Sequence, residues 1–411
     1  MAKRMYGLRA AGERIFYAGC GDRGTYRTSR RSRRGGTAAM TMRSAASGDE
    51  RVRLCLLIGS ADFGGAERHI EHIVRYVDAE HVVVALAEGP MVEAWREAGA
   101  RVYVVPESFR LPFRSVHSVR RIIKEEKPDV IHSHTPKANL LGAWLGAVPP
   151  RMMTIHGSHR QFEANRAIPA AWYRWADLWA SRGARLVIAV CERDREELIE
   201  NGFPADRLET VNNGVPDPGF EEIPLEERRS VLWVGRFTEE KDPELMREVA
   251  RLCAEHPRIE EVVMVGSGPL VEELDLGSIP KLRWLESHSK PEELMRRAVV
   301  VVNTSRSEGA SLTLMSALAC GTPIVASAVG GNPETVGEAG RLLPLRDPAE
   351  RAGDAAVFAE AIKMFLEDET AWREASCRAR GRYESRFRVE MMARRLSDLY
   401  FEQARRGRVF R

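Results

Sequence analysis

Short apolar runs alternate with segments of helical period along most of the chain, a pattern that predicts βαβ units with parallel sheets. Val52–Gly59 reads as a buried strand, Gly64 and Gly65 as a turn, and Ala66–Val77 as the helix that follows. Further strands are expected at His81–Ala87, Val102–Val105, Val130–Ser133, Met152–Ile155, Leu186–Val190 and a short run ending at Val211. Helices are expected around Met91–Ala98, Val116–Glu126, Pro169–Arg182 and Arg193–Asn201. The stretch from Asn212 to Pro218, NNGVPDP, then breaks the periodicity with residues that favour turns, and it marks a domain boundary. A second set of strands follows at Ser230–Gly235, Glu261–Gly266, Leu282–Leu285, Val299–Thr304 and Pro323–Ser327. Its helices are expected at Pro243–Glu255, Leu270–Leu276, Pro291–Arg297 and Leu312–Cys320, with a helical remainder from Ala356.

Composition agrees with two α/β domains, since 411 residues at 44% hydrophobic exceed what one core usually organises. The net charge of +3 is unevenly placed. Residues 1–50 are rich in Arg, Gly and Ser, with Glu13 and Asp22 as the only acids up to Ser47. Such a segment buries too little apolar surface to offset its ordering entropy, so it is expected to be a disordered tail or the product of a misassigned start, with Met40 or Met42 as the true beginning. A nucleic-acid tail and an Arg-rich transit peptide are the alternative readings of the same composition, and a misassigned start is the plainer one. No apolar run reaches the roughly 18 to 20 residues that cross a bilayer. Cys20, Cys55, Cys191, Cys253, Cys320 and Cys377 are widely spaced and form no C-x-x-C pair, so they read as small buried hydrophobes in a reducing cytoplasm.

Two segments carry chemistry. In VLWVGRFTEEKDPE, from Val231, a strand ends at Gly235 and a helix restarts with Asp242 as cap and Pro243 in its first turn. Arg236 and Lys241 lie in the connection, where ligands of open α/β sheets bind, and suit a diphosphate; solvated loop charges are the plainer reading. In SEGASLTLMSALACGTP, from Ser307, small residues lead into an apolar helix that stops at Gly321. The amides near Ser311 and Leu312 offer an anion site, and Glu308 beside them could accept hydrogen bonds from sugar hydroxyls or simply offset the helix dipole.

With these segments stand GGAERHI from Gly64, PDVIHSHTPKANLLG from Pro128, TIHG from Thr154, VIAVCERDREELIENGFPADRLETVNNGVP from Val187 and VMVGSGP from Val263. Together and in this order they resemble the retaining glycosyltransferases of family 4. The resemblance implies the GT-B fold: two facing Rossmann-like domains with parallel sheets and a cleft between them. The expected acceptor domain is 51–216, the nucleotide-sugar domain 217–383, and a final helix within 384–411 packs back on the first. It further implies that Arg236 and Lys241 bind the donor diphosphate, Glu308 contacts the donor sugar, His156 approaches the reacting centre, and Gly64 and Gly65 close over the diphosphate. Ser311 and Leu312 complete the diphosphate site, and Ser316, Gly266 and Glu286 are assigned to the nucleoside. Relatives carry a second acid where this chain has Ser316, and Ala310 and Ser311 replace a bulky residue and a glycine, so the donor's identity does not carry over. Restoring the acid by Ser316→Glu is expected to tighten nucleotide binding a few-fold.

The implied reaction is transfer from a nucleotide-diphosphate sugar, a substrate rather than a cofactor, with retention and without a metal, to an unidentified acceptor. A nucleotide-sugar epimerase of the same architecture and a catalytically impaired nucleotide-binding relative are the rivals. Arg110, Arg114, Arg120, Arg121 and Lys124 suit a phosphorylated or lipid-linked acceptor but read first as a solvated face. No nucleic-acid partner is expected, and the location is cytoplasmic, with peripheral contact at the inner membrane face as a variant. His132 and His134 share a strand face but lack a third metal ligand in the sequence, so they read as core or loop residues. Trp172, Trp175 and Trp179 fall on one helical stripe and read as the buried side of a crossover helix rather than a membrane anchor.

Overall fold

The computed structural model describes residues 51–106, 112–146, 149–157, 170–220, 223–288 and 290–409. The expected tail and Arg110 lie outside the described residues. The first lobe alternates strand and helix: β1 (Arg53–Ile58), α1 (Gly65–Tyr76), β2 (Glu80–Ala85), α2 (Met91–Glu97), β3 (Arg101–Val104), α3 (Pro112–Glu126) and β4 (Val130–His134). It continues with α4 (Pro136–Trp144), β5 (Arg151–Ile155), α5 (Ala170–Ser181), β6 (Leu186–Ala189), α6 (Glu192–Glu200) and β7 (Leu208–Thr210). The strands form one parallel sheet in the order β3-β2-β1-β4-β5-β6-β7. β1 and β4 are almost wholly buried because helices cover both faces of the sheet; β1 is accordingly apolar after Arg53, whereas β4 buries the polar His132, Ser133 and His134.

The second lobe repeats the plan: β8 (Ser230–Val234), α7 (Pro243–Cys253), β9 (Glu261–Val265), β10 (Leu282–Leu285), α8 (Pro291–Arg297) and β11 (Ala298–Asn303). Then come α9 (Leu312–Ala319), β12 (Ile324–Ser327), α10 (Asn332–Val336), β13 (Gly340–Leu343), α11 (Arg351–Glu367), α12 (Glu369–Arg386) and α13 (Val389–Val409). Its six parallel strands run β10-β9-β8-β11-β12-β13. Both sheets thus reverse direction of growth between their first and fourth strands, the place where open α/β sheets leave a crevice at the strands' carboxyl ends. The two-sheet α/β architecture is as the sequence leads one to expect.

The chain crosses between lobes twice, and the crossings bond to each other. Val215 donates its amide to Phe387 O (2.9 Å) and accepts from the Val389 amide (3.0 Å), a parallel bridge. Beyond it α13 returns to the first lobe, where Val389, Met392, Leu396, Leu399 and Tyr400 join the core formed by Leu54, Ile58, Ile70, Ile73 and Trp95.

Several local expectations are corrected. Leu270–Leu276 is a series of turns, not a helix: its amides close short turns, Val271 to Gly268 O (3.3 Å), Glu273 to Leu270 O (3.2 Å) and Leu276 to Leu274 O (2.7 Å). The helix α4 and the elements α10 and β13 were not foreseen: α4 is apolar without a stripe, α10 spans only five residues, and β13 is a partly buried edge strand. Trp172 and Trp175 are exposed, at 38% and 57%. The inner face of α5 is made instead by Ala176, Asp177 and Ala180, whose small side chains let it approach α4, where Asn139 Nδ2 donates to Asp177 Oδ1 (2.8 Å). Cys55, Cys191, Cys253 and Cys320 are buried, but Cys377 is exposed on α12.

Candidate active site

The centre of the second lobe's crevice is a chain of alternating charges. Arg236 follows β8, Lys241 ends a single turn at Glu239–Lys241, and Glu308 lies beyond β11. Lys241 Nζ stands 2.9 Å from Glu308 Oε1 and 3.0 Å from Glu240 Oε1, and Arg236 reaches Glu240 Oε2 at 3.1 Å. Glu308 Oε1 also accepts from Asn303 Nδ2 (3.0 Å) and Ser305 Oγ (2.7 Å). Burial alone would neutralise both partners, but Lys241, Ser305 and Asn303 outweigh it and hold Glu308 below the ordinary carboxylate value. Glu308 and Glu240 likewise outweigh burial at Lys241 and hold its ammonium above the usual range. Lys241 is therefore a largely enclosed, compensated cation, its side chain 17% exposed, rather than the solvated loop charge of the plainer reading, whereas Arg236 is more than half exposed.

The turn bearing Lys241 is fixed from behind. Asp242, in the left-handed region at φ 44°, caps α7 by accepting from the Leu245 amide (3.1 Å), as its place before Pro243 predicts. Its buried carboxylate also pairs with Arg306 (2.6 Å) and Arg351 (3.0 Å), and Thr304 Oγ1 donates within 3.0 Å of the carbonyls of Lys241 and Asp242. Sequence reasoning missed Arg306, in the loop after β11, and Arg351, at the start of α11, which are distant in the chain and carry no local signal.

Gly266 has φ +139° and lies against the loop after β8. A Cβ there would fall 1.9 Å from Gly235 O, so only glycine fits beside Arg236. Ser311 is the cap position of α9, and the helix begins at Leu312 immediately beyond the Glu308 loop. Ser316, one turn further, donates Oγ to Glu292 Oε1 of α8 at 3.5 Å, so a carboxylate does stand beside this position although another helix supplies it. Glu286 is exposed after β10, two strands out from β8, and directly follows Leu285, whose carbonyl accepts from the Gly266 amide (2.9 Å).

The first lobe faces this centre with glycines and histidines. Gly64 caps α1 without a side chain, Gly65 opens the helix, and Glu67 is buried one turn on. Burial raises the Glu67 carboxyl, while Ser60 and Arg236 oppose the rise, so Arg236 acts across the cleft on the glycine loop. His156 follows β5, its Nε2 3.0 Å from His134 Nδ1. The fold also supplies the third imidazole that the sequence lacked beside His134: one ring nitrogen from each of His69, His134 and His156 lies within 4.8 Å of the others. His132 takes no part, for Tyr400 Oη (2.7 Å) and Thr154 Oγ1 (2.8 Å) satisfy both its nitrogens in the core. Burial holds all four imidazoles well below the ordinary histidine value, with His132 and His156 at about 3.

The lobes touch around Gly309. A Cβ on this residue would fall 2.6 Å from Gly157 Cα, so the loops after His156 and Glu308 lie backbone to backbone. Asn213 Nδ2 donates to Ala310 O (3.2 Å), and Glu334 Oε2 of α10 accepts from the amides of Glu192 (2.8 Å) and Arg193 (3.3 Å) at the start of α6. Away from the cleft, Tyr103, Val105, Arg114, Ser118, Arg121 and Glu125 line a cavity of about 410 Å³ between β3 and α3. Among the described residues no helix is long and apolar enough to cross a membrane.

Residues 63–217 match the family model described as Glycosyltransferase Family 4, and residues 228–368 match Glycosyl transferases group 1. The chain is 25% identical over 279 residues, 61% of its length and 72% of the relative's, to the UDP-Gal:alpha-D-GlcNAc-diphosphoundecaprenol alpha-1,3-galactosyltransferase of Escherichia coli. It is 29% identical over 313 residues, 67% of its length and 79% of the relative's, to the alpha-maltose-1-phosphate synthase of Mycolicibacterium smegmatis. Among solved structures, Anabaena HepE in complex with UDP and glucose superposes with a TM-score of 0.71 at 21% identity, over 85% of this chain and 99% of that one. The two matched models span both lobes, and the chain belongs to the group 1 glycosyltransferases, transferases of GT-B architecture.

Proposed function

We propose that the chain transfers a glycosyl group from a nucleoside diphosphate sugar to an acceptor held against the first lobe, with retention of configuration at the anomeric carbon. The observation that carries this reading is the buried Lys241–Glu308 pair at the mouth of the crevice, with Arg236 beside it and His156 on the facing lobe. Arg236, Lys241 and the amides at Ser311 and Leu312 would hold the diphosphate, and their positive charge would stabilise the leaving group as its bond to the sugar breaks. Gly64 and Gly65 would let the first lobe's backbone approach that diphosphate. Glu308 would accept from sugar hydroxyls and His156 would flank the anomeric carbon. The nucleoside would lie over Gly266 towards Glu286, its ribose meeting Ser316 together with Glu292. The acceptor oxygen would attack from the face that the diphosphate leaves, and its proton would pass to the departing phosphate oxygen. No metal is required, because groups of the chain supply the positive charge. The E. coli relative is named for a UDP-galactose donor and the HepE structure holds UDP, which makes UDP-sugars the first to try.

A thermal-shift screen of UDP-, GDP- and ADP-sugars identifies the donor, since a ligand at about 100 times its Kd adds about 2.7 kcal/mol of stability. Release of free nucleoside diphosphate is then followed with candidate acceptors, with and without chelator. The expected result is release that depends on acceptor and survives the chelator. Conversion of the donor sugar without any acceptor would establish an epimerase instead, and binding without turnover a non-catalytic relative.

A further inference from the structure

The basic cluster of α3, which reads from the sequence as a solvated face, divides in the structure. Arg120 turns to α4, where its Nη2 donates to Trp144 O (2.7 Å). Arg114 and Arg121 instead line the cavity of about 410 Å³ between α3 and the edge strand β3, and Ser115, Ser118 and Glu125 line it with them. Arg114, Ser118, Arg121 and Glu125 recur at the spacing of one helical stripe, so a single face of α3 brings guanidiniums, a hydroxyl and a carboxylate to one space. The facing wall, from Val104 to Pro106 at the carboxyl end of β3, is apolar.

Charge and hydrogen bonding in this cavity do not balance. Glu125 is the one carboxylate among its described lining residues, and Arg121 already engages it at 3.7 Å. Arg114 has neither an ion pair nor a hydrogen bond among the described residues, which leaves a cation without a counter-charge. Ser115 is 3% exposed, yet its hydroxyl is without a hydrogen-bond partner among the described residues, and so is that of Ser118. No acid stands in the first turn of α3, so the positive end of the helix dipole adds to Arg114. Nearly buried hydroxyls are usually bonded, and one left open on a cavity beside an uncompensated cation points to an anionic ligand.

The chemistry of the lining narrows that ligand. A phosphate monoester offers three oxygens and close to two negative charges, enough for both guanidiniums and both hydroxyls, whereas a carboxylate is filled by one guanidinium fork. The apolar wall suits an organic body on the phosphate, and the volume falls in the range of small-molecule sites, about 300–1,000 Å³. We infer that the cavity between β3 and α3 is a binding site for a phosphate monoester, its phosphate held by Arg114, Arg121 and Ser115. The site lies outside the transfer cleft and does not rest on the donor reading above, so each stands if the other fails.

The test is titration calorimetry of the full chain with glycerol 3-phosphate, alongside glycerol and inorganic phosphate as the two halves of the probe. Saturable binding of the ester is expected, tighter than either half, weakened by added salt and unchanged by UDP at a concentration that fills the cleft. Arg114→Ala and Arg121→Ala should each weaken the ester about tenfold, the worth of a charge-assisted bond, and Ser115→Ala about threefold. The two arginine variants should melt as wild type does, since both side chains are exposed. Ester binding that UDP abolishes places the phosphate in the cleft and overturns the site, as does binding that all three variants leave unchanged. Vesicles of phosphatidylcholine with and without phosphatidic acid separate two sources of the same group. Capture that requires phosphatidic acid and is lost in Arg114→Ala assigns a lipid headgroup, and ester binding without capture assigns a soluble phosphate. Absence of both saturation at millimolar ester and vesicle capture overturns the site.

Discussion

Arg236 and Lys241 stand five positions apart in one connection, yet the structure gives them different dependencies. Arg236 is exposed, so Arg236→Ala is expected to lower turnover by about tenfold or more through lost transition-state charge while leaving the melting temperature nearly unchanged. Lys241→Met strands Glu308 without its cation in a buried site, which costs about 3–5 kcal/mol in comparable pairs. That loss should be smaller at pH 5 than at pH 8, because a protonated Glu308 no longer needs the partner. Equal melting curves for the two variants at both pH values would contradict the buried pair. At Ser316 the structure reverses the outcome expected from sequence: Glu292 already stands there, so Ser316→Glu sets two carboxylates together. It should lower the melting temperature, more at pH 8 than at pH 5, and nucleotide titration should show no tightening. The serine was legible as a departure from the family motif, but Glu292, 24 positions away, was not.

At the scale of elements, α6 and α10 decide how the lobes meet. The Glu334 carboxylate lies against the free amides at the start of α6, where a negative charge and a cap both stabilise. Glu334→Ala is expected to cost about 1 kcal/mol of this contact, which moves an open–closed equilibrium about fivefold towards open. Solution scattering of the unliganded protein should show a larger radius of gyration, and an unchanged radius would mean that the lobes are held elsewhere. The strands other than β13 were readable to within a residue or two because apolar runs bounded by turns have few other meanings; β13, a short and partly buried edge strand, lacks such a run. The outward Trp172 and Trp175 were not, because helical spacing gives a stripe without saying which stripe a neighbour covers.

Across the whole molecule, the first lobe depends on a segment encoded at the far end of the chain. Leu396, Leu399 and Tyr400 are at most 2% exposed in the core built on β1 and α1, and Tyr400 holds His132. Ending the chain after Arg388 should therefore destabilise the first lobe selectively, so that calorimetry resolves two transitions with the lower one moved down. A single transition shifted as a unit would refute that division. Acid should act on the same lobe. His72 and His81 fall to about 4 and His132 and His156 to about 3, so each binds its proton more weakly folded than unfolded. The stability they confer is full above about pH 6.5 and is lost as pH falls towards 3, with protons taken up on unfolding. A melting temperature flat between pH 6.5 and 4 would argue against neutral, buried imidazoles.

The sequence by itself determined most of the elements, though not α4, α10 or β13, the two-sheet plan and the residues of the candidate centre that sit beside a strand end or a helix start, such as Arg236, Lys241 and Glu308. Those features are local, since hydrophobic period, caps and turn residues act over a few positions. Only the tertiary structure decided that Lys241 is a buried, compensated charge, that Glu292 stands beside Ser316, and that His69 joins His134 and His156. Only it brought Asn213 and Gly157 against the Glu308 loop. Burial and pairing at these positions arise where segments far apart in sequence are packed together, and packing of that kind leaves no period or spacing in the chain from which it could be read.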